Sequence, residues 1–119
     1  VMKDNGDFAT SFFFFFHEHH TIACFKAEIV EIDHSSYETG EWNRIKDWCD
    51  SLEKKGIQLK WGPGRHGPGN NLFIFIEDPD TNWIEISAEL EIIHDREVRV
   101  WKHEPKTLNL WGPHSIMRS

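Results

Sequence analysis

The sequence is short of several things, and each shortage removes a class of protein. There are only two cysteines, Cys24 and Cys49. Neither sits in a metal-ligand spacing, and both fall in segments read as regular elements. They read as buried, reduced thiols, which fits a cytoplasmic protein and excludes a disulfide framework. Basic residues are outnumbered, 13 Lys and Arg against 20 Asp and Glu, for a net charge of -7. A nucleic-acid partner needs a cationic face, and an anionic membrane needs one too; neither is expected. The longest apolar run near the N-terminus, Phe12 to Phe16, is far shorter than the roughly 20 residues of a membrane helix. No stretch combines a basic flank, an apolar core and a cleavage site, so no signal peptide is read. Tyrosine occurs once, whereas tryptophan occurs six times and phenylalanine nine.

What remains is a chain of 119 residues, enough for one domain with a real core. Eight histidines are the one compositional excess that points to chemistry. Residues 1–16 read as a loose N-terminus and one strand, Thr10 to Phe16, belonging to a preceding unit. A strand over Thr21 to Ala27 follows the polar break His17-Glu18-His19-His20, with His20, Ile22 and Cys24 on one face. His34 to Thr39 reads as a loop. Trp42, Ile45, Trp48, Cys49 and Leu52 recur at spacings of three and four, which predicts a helix over Gly40 to Lys55. Thr39 or Ser36 is the expected cap, and Lys54-Lys55-Gly56 the stop. Strands are then expected at Ile57 to Trp61, Leu72 to Glu77 and Trp83 to Leu90, with a glycine- and proline-rich loop, carrying His66, after the first of them. In the second, Leu72, Ile74 and Ile76 oppose Phe73, Phe75 and Glu77. In the third, Ile84 and Ile86 oppose Trp83, Glu85 and Ser87.

The order is strand, helix, strand, strand, strand. This is an α+β fold whose curled mixed sheet occupies residues 17–90. Residues 91–119 read as a tail that docks through Trp101, Leu108, Leu110 and Trp111. In a curled sheet the first and last strands approach each other, so His20 and Glu85 point at a shared space. One imidazole and one carboxylate are a partial ligand set for a divalent metal. The plain alternative is a solvent-facing or ion-paired carboxylate and a strand histidine without a ligand role. His66, held by glycine and proline, marks a tight turn or a site. His17 and His19 suit a solvated break; His34, His94, His103 and His114 have no evident partner and read as surface.

Three ordered segments carry a resemblance. His19-His20-Thr21-Ile22-Ala23, then Gly64 to Phe73 (GRHGPGNNLF), then Glu77 to Glu85 (EDPDTNWIE) resemble the C-terminal half of type I extradiol ring-cleavage dioxygenases. These belong to the vicinal oxygen chelate superfamily, together with glyoxalases and bleomycin- and fosfomycin-resistance proteins. The resemblance spans Phe12 to Trp111 and implies a βαβββ unit, in agreement with the order above. It implies a non-haem Fe(II) site, or Mn(II), that binds a catechol and dioxygen and opens the ring beside the two hydroxyls. By this resemblance His20 and Glu85 are metal ligands, and His66 hydrogen-bonds the bound catechol or oxygen. Three departures accompany it. The other histidine ligand belongs to a preceding unit. The tyrosine of many members falls at Phe75, which has no hydrogen to donate. The usual turn glycine is Thr81, where a β-branched residue suggests a different turn type. The family's acid–base histidine lies upstream of the second histidine ligand, with His17 the nearest candidate. The leading expectation is thus the metal unit of a catechol-cleaving enzyme, associated with a missing N-terminal half or working as a homo-oligomer. The alternative is a glyoxalase-like binding or resistance module, non-catalytic or differently catalytic, completed by dimerisation through the Phe12–Phe16 run.

Overall fold

The computed structural model describes residues 1–13, 22–25, 27–28, 31–92 and 99–113. His20, with His17, His19 and Phe14 to Phe16, lies outside the described residues. A four-stranded sheet holds β3 (His34–Glu38), β4 (Trp61–Arg65), β5 (Leu72–Glu77) and β6 (Trp83–Ala88), in the order β3-β6-β5-β4. The β5–β6 and β4–β5 pairs are antiparallel, and β3 runs parallel to β6. The parallel pair requires a crossover, supplied by helix α1 (Trp42–Lys54). This is the βαβββ unit, but it starts at His34. Two earlier strands, β1 (Thr10–Phe13) and β2 (Ile22–Phe25), form a separate antiparallel pair.

Alternation along β5 and β6 creates two unlike faces. Leu72 pairs with Ala88, Ile74 with Ile86 and Ile76 with Ile84; Leu72, Ile74, Ile86 and Ala88 form a core with the helix, and Ile76 packs against it. Ile45 and Leu52 complete this core, and Cys49 and Leu59 pack at its edge. Each large apolar side chain buried there contributes about 1.5–3 kcal/mol. Trp42 and Trp48, also on the expected stripe, remain substantially exposed and flank the contact. The opposite face carries Phe73 beside Ser87, Phe75 beside Glu85, and Glu77 beside Trp83.

Several local expectations are corrected. His34–Glu38 is a strand, not a loop; it is an exposed edge strand, so its sequence HSSYE carries no burial signal. The glycine-proline stretch from Trp61 is itself strand β4. Pro63 is tolerated because β4 is the last strand of this sheet and its register shifts between Trp61 and Gly64. Gly62 is required there: its φ is 93°, and a Cβ would lie 2.7 Å from the Phe73 carbonyl oxygen. The helix has no side-chain cap; Thr39 instead accepts a hydrogen bond from Trp48 Nε1 at 3.0 Å. Its stop is as expected: Gly56 takes φ 71°, and the Ile57 N–H donates to the Leu52 carbonyl at 2.9 Å. Thr81 does adopt positive φ, 67°, so the turn keeps its left-handed residue without glycine. The two thiols are free, and Cys24 is exposed rather than buried.

The C-terminal segment includes a short helix, α2 (Pro105–Leu108), and runs beside β4. Leu108 and Trp111, expected as apolar anchors, are exposed; the buried residues are Thr107 and Asn109. Among the described residues no helix is long and apolar enough to cross a membrane.

Candidate metal centre

The site lies on the sheet face away from α1. Strand β6 places Glu85 in its middle, where pairing with Ser36 on one side and Phe75 on the other buries the carboxylate. Two imidazoles face its two oxygens. His34, at the start of β3, brings Nε2 to 3.8 Å from Oε1. His66, immediately after β4, brings Nε2 to 2.9 Å from Oε2. The other nitrogen of each ring is also held. His34 Nδ1 donates to the Asp33 carboxylate at 2.7 Å, and His66 Nδ1 donates to the Leu108 carbonyl at 2.6 Å. Both nitrogens of His66 thus face oxygen atoms of fixed partners.

Aromatic rings wall the site. The His66 ring lies flat on Phe73, with centroids 3.9 Å apart and 8° between planes. Trp61 stacks on Phe75, and Phe75 also meets His34 edge-on at 4.8 Å. Trp83 packs on the other side of Phe75. The rings nearest Glu85 and the two imidazoles are therefore apolar, and Ser36, Ser87 and Glu77 add polar groups along the same face. Burial by itself pushes the Glu85 carboxyl up. The facing imidazoles of His34 and His66 outweigh that and hold it well below the usual carboxylate range. Burial pushes the His34 imidazole down, but the Glu85 and Asp33 carboxylates outweigh it and raise it.

The donors fit part of a divalent metal site. A separation of 3.8 Å is too long for a hydrogen bond, so His34 Nε2 and Glu85 Oε1 face one space without closing on each other. A ligating histidine ordinarily donates its other N–H to a carboxylate or carbonyl, as His34 does to Asp33. Imidazole with carboxylate is the donor chemistry of non-haem iron and manganese. Among the described residues no group of three His, Cys, Asp or Glu side chains is placed to hold a metal ion. Of the residues expected from the sequence, Glu85 and His66 are brought together. His34, read from sequence as a surface residue, is the one that was missed. The only sequence signal is an Asp-His pair opening a short strand, which is too common to single out.

The profile of the "Glyoxalase/Bleomycin resistance protein/Dioxygenase superfamily" matches residues 4–86. Metapyrocatechase 2 of Cupriavidus necator is 29% identical over 76 residues, covering 64% of this chain but 24% of that protein. Homoprotocatechuate 2,3-dioxygenase from Arthrobacter globiformis superposes with a TM-score of 0.84 at 25% identity, over 94% of this chain and 36% of that one. The enzyme from Brevibacterium fuscum, in its anaerobic complex with 3,4-dihydroxyphenylacetate, gives 0.84 at 26% identity, over 93% and 36%. An Mn(II)-bound glyoxalase from Novosphingobium aromaticivorans gives 0.79 at 27% identity, over 94% and 36%. The chain thus spans about a quarter to a third of the length of these relatives.

Proposed function

The chain belongs to the Glyoxalase/Bleomycin resistance protein/Dioxygenase superfamily, and on that footing we propose that it is the metal-binding unit of an extradiol dioxygenase, opening catechol rings beside the two hydroxyls with dioxygen. The observation that carries this reading is the buried Glu85 carboxylate faced by two imidazoles on an aromatic-walled sheet. His34 and Glu85 hold the metal, Fe(II) or Mn(II), and the third donor comes from outside the described residues. The place expected for His20, on the strand beside Glu85, is taken by His34. The family's acid–base histidine lies upstream of that ligand, and the His17–His20 stretch then supplies it.

The chemistry such a metal supplies is the binding of both catechol oxygens beside dioxygen and the passage of electrons between them. The chain's own residues set the conditions. Glu85 stays ionised at any physiological pH, because its carboxyl is held low. The partly exposed Trp61 and Trp83 offer planar apolar surface to an aromatic ring, and the buried Phe73 and Phe75 back them. His66 donates from Nε2. Its Nδ1 hydrogen is committed to the Leu108 carbonyl, which leaves Nε2 as the ring nitrogen that faces the site. Phe75 adds shape and no proton.

The test is direct. Protein loaded anaerobically with Fe(II), mixed with a catechol and then exposed to oxygen, should form a yellow ring-fission product. His34→Ala and Glu85→Ala should each abolish it. Iron-loaded protein that cleaves none of a panel of catechols contradicts the proposal. A second reading, a metal-dependent binding module completed by a second copy, is favoured by the His34–Glu85 pair, the facing donors among the described residues. It expects a dimer by light scattering and retained metal without ring cleavage.

A further inference from the structure

The tail from Thr107 to Pro113 does more than cover an edge. Asn109 is completely buried, although it is a polar residue in a connecting segment. Its Oδ1 accepts from the Arg65 and Trp111 backbone N–H groups, each at 3.1 Å, and its Nδ2 donates to the Pro113 carbonyl at 2.9 Å. It sits against Gly64, where a Cβ would meet its amide at 2.5–2.7 Å. Backbone bonds flank it: Gly67 N–H to the Thr107 carbonyl at 2.9 Å, and Leu110 N–H to the Arg65 carbonyl at 2.7 Å. The residue preceding Asn109 is Leu108, whose carbonyl receives His66 Nδ1–H. The same Pro113 carbonyl also accepts from Trp61 Nε1 at 2.9 Å.

We propose that Asn109 is the positioning residue of this site: by pinning the tail to β4 it aims the Leu108 carbonyl at His66 Nδ1 and so directs Nε2 into the site. Stacking on Phe73 fixes the plane of the imidazole, but a ring can still turn within its plane or flip about it. The Nδ1 bond to the Leu108 carbonyl is the contact outside the site that distinguishes one ring nitrogen from the other, and it works with the Nε2 bond to Glu85 at 2.9 Å. Trp61, tied to the same tail, closes the wall beside His66 at 5.8 Å between centroids. The consequence for catalysis rests on reading His66 as the donor to bound substrate; the consequence for the ring itself does not.

The test therefore has two arms. In the metal-free protein, NMR should show a hydrogen-bonded His66 Nδ1 proton. Asn109→Ala should abolish it while the amide pattern of β5 and β6 stays native. Gly64→Ala, which displaces Asn109 without removing it, should do the same and provides a second route if Asn109→Ala does not fold. In the iron-loaded protein, Asn109→Ala should lower ring-cleavage kcat by roughly 10- to 100-fold, the scale of an ångström-level misplacement. It should have little further effect in a His66→Phe background. An unchanged Nδ1 proton in either variant overturns the proposal whether or not the protein cleaves catechols. An equal loss of turnover with and without His66 overturns it too. Absence of turnover in the parent protein counts against the function and leaves the NMR arm decisive for Asn109.

Discussion

Glu85 and His34 meet across parallel neighbouring strands, with Oε1 of one 3.8 Å from Nε2 of the other. Parallel pairing is what allows this. It sets the first strand of the unit directly beside the last, although the two positions are 51 apart in sequence. The open, partly exposed imidazole and the buried carboxylate then share one space.

The pair predicts a stability optimum for the metal-free protein. Glu85 has a depressed pKa, so its contribution is present above the ordinary glutamate value of about 4.3 and is lost as pH falls through its folded value. His34 has a raised pKa, so its contribution is present below the ordinary histidine value of about 6.5 and is lost as pH rises through its folded value. Thermal unfolding should show the highest Tm between roughly pH 4.5 and 6.5. Glu85→Gln should flatten the profile. A wild-type Tm that climbs steadily above pH 7 would contradict the assignment.

Asp33 should matter for metal affinity without touching the metal. Its carboxylate fixes His34 through Nδ1. Asp33→Asn should weaken Mn(II) binding by about 10- to 100-fold, the usual cost of an altered outer partner. Titration calorimetry at fixed pH measures this, and an unchanged affinity would show that His34 needs no such support.

Thr81 carries a strain that can be relieved. The turn is held by Asp78, whose Oδ1 accepts from the Asp80 and Asn82 N–H groups at 3.0 and 2.8 Å. Thr81 nevertheless sits at φ 67°, where a β-branched side chain is disfavoured. Thr81→Gly should stabilise the protein by about 1 kcal/mol in urea unfolding, because relief of strain exceeds the entropy cost of glycine. A loss of stability would mean that the threonine side chain contributes contacts that outweigh the strain.

The two faces of β5 should be separable by mutation. Ile74 is fully buried under α1, whereas its neighbours Phe73 and Phe75 face the site. Ile74→Ala should cost about 2–5 kcal/mol of unfolding free energy. At a temperature where the variant is folded, its metal affinity should match the parent. A parallel loss of affinity would mean that the faces are coupled.

The core of this fold was legible because burial leaves a pattern. Leu72 to Glu77, Trp83 to Ala88 and the Ile45/Leu52 stripe announce strands and a helix by alternation and by spacing. The missing pieces share a cause: edge strands need no apolar alternation. His34–Glu38 is exposed and gains its identity only by pairing with β6, and β4 uses glycines for close approach where sequence suggests a loop. The sequence reading puts the first strand of the unit at Thr21, whereas the strand beside β6 is His34–Glu38, so the imidazole described beside Glu85 is His34. Glu85 and His66, which do face each other, both lie near strands with strong signals. Asn109 gave no signal, since a buried amide in a tail is visible only through its partners.

The central claim, that His34 and Glu85 are the protein's metal donors, is tested most directly by Mn(II) binding followed by electron paramagnetic resonance. His34→Ala and Glu85→Ala should each lose more affinity than the roughly 10- to 100-fold that altering an outer partner costs, while His66→Ala keeps the metal. Undiminished Mn(II) binding in either of the first two variants, with the fold intact, would contradict the account.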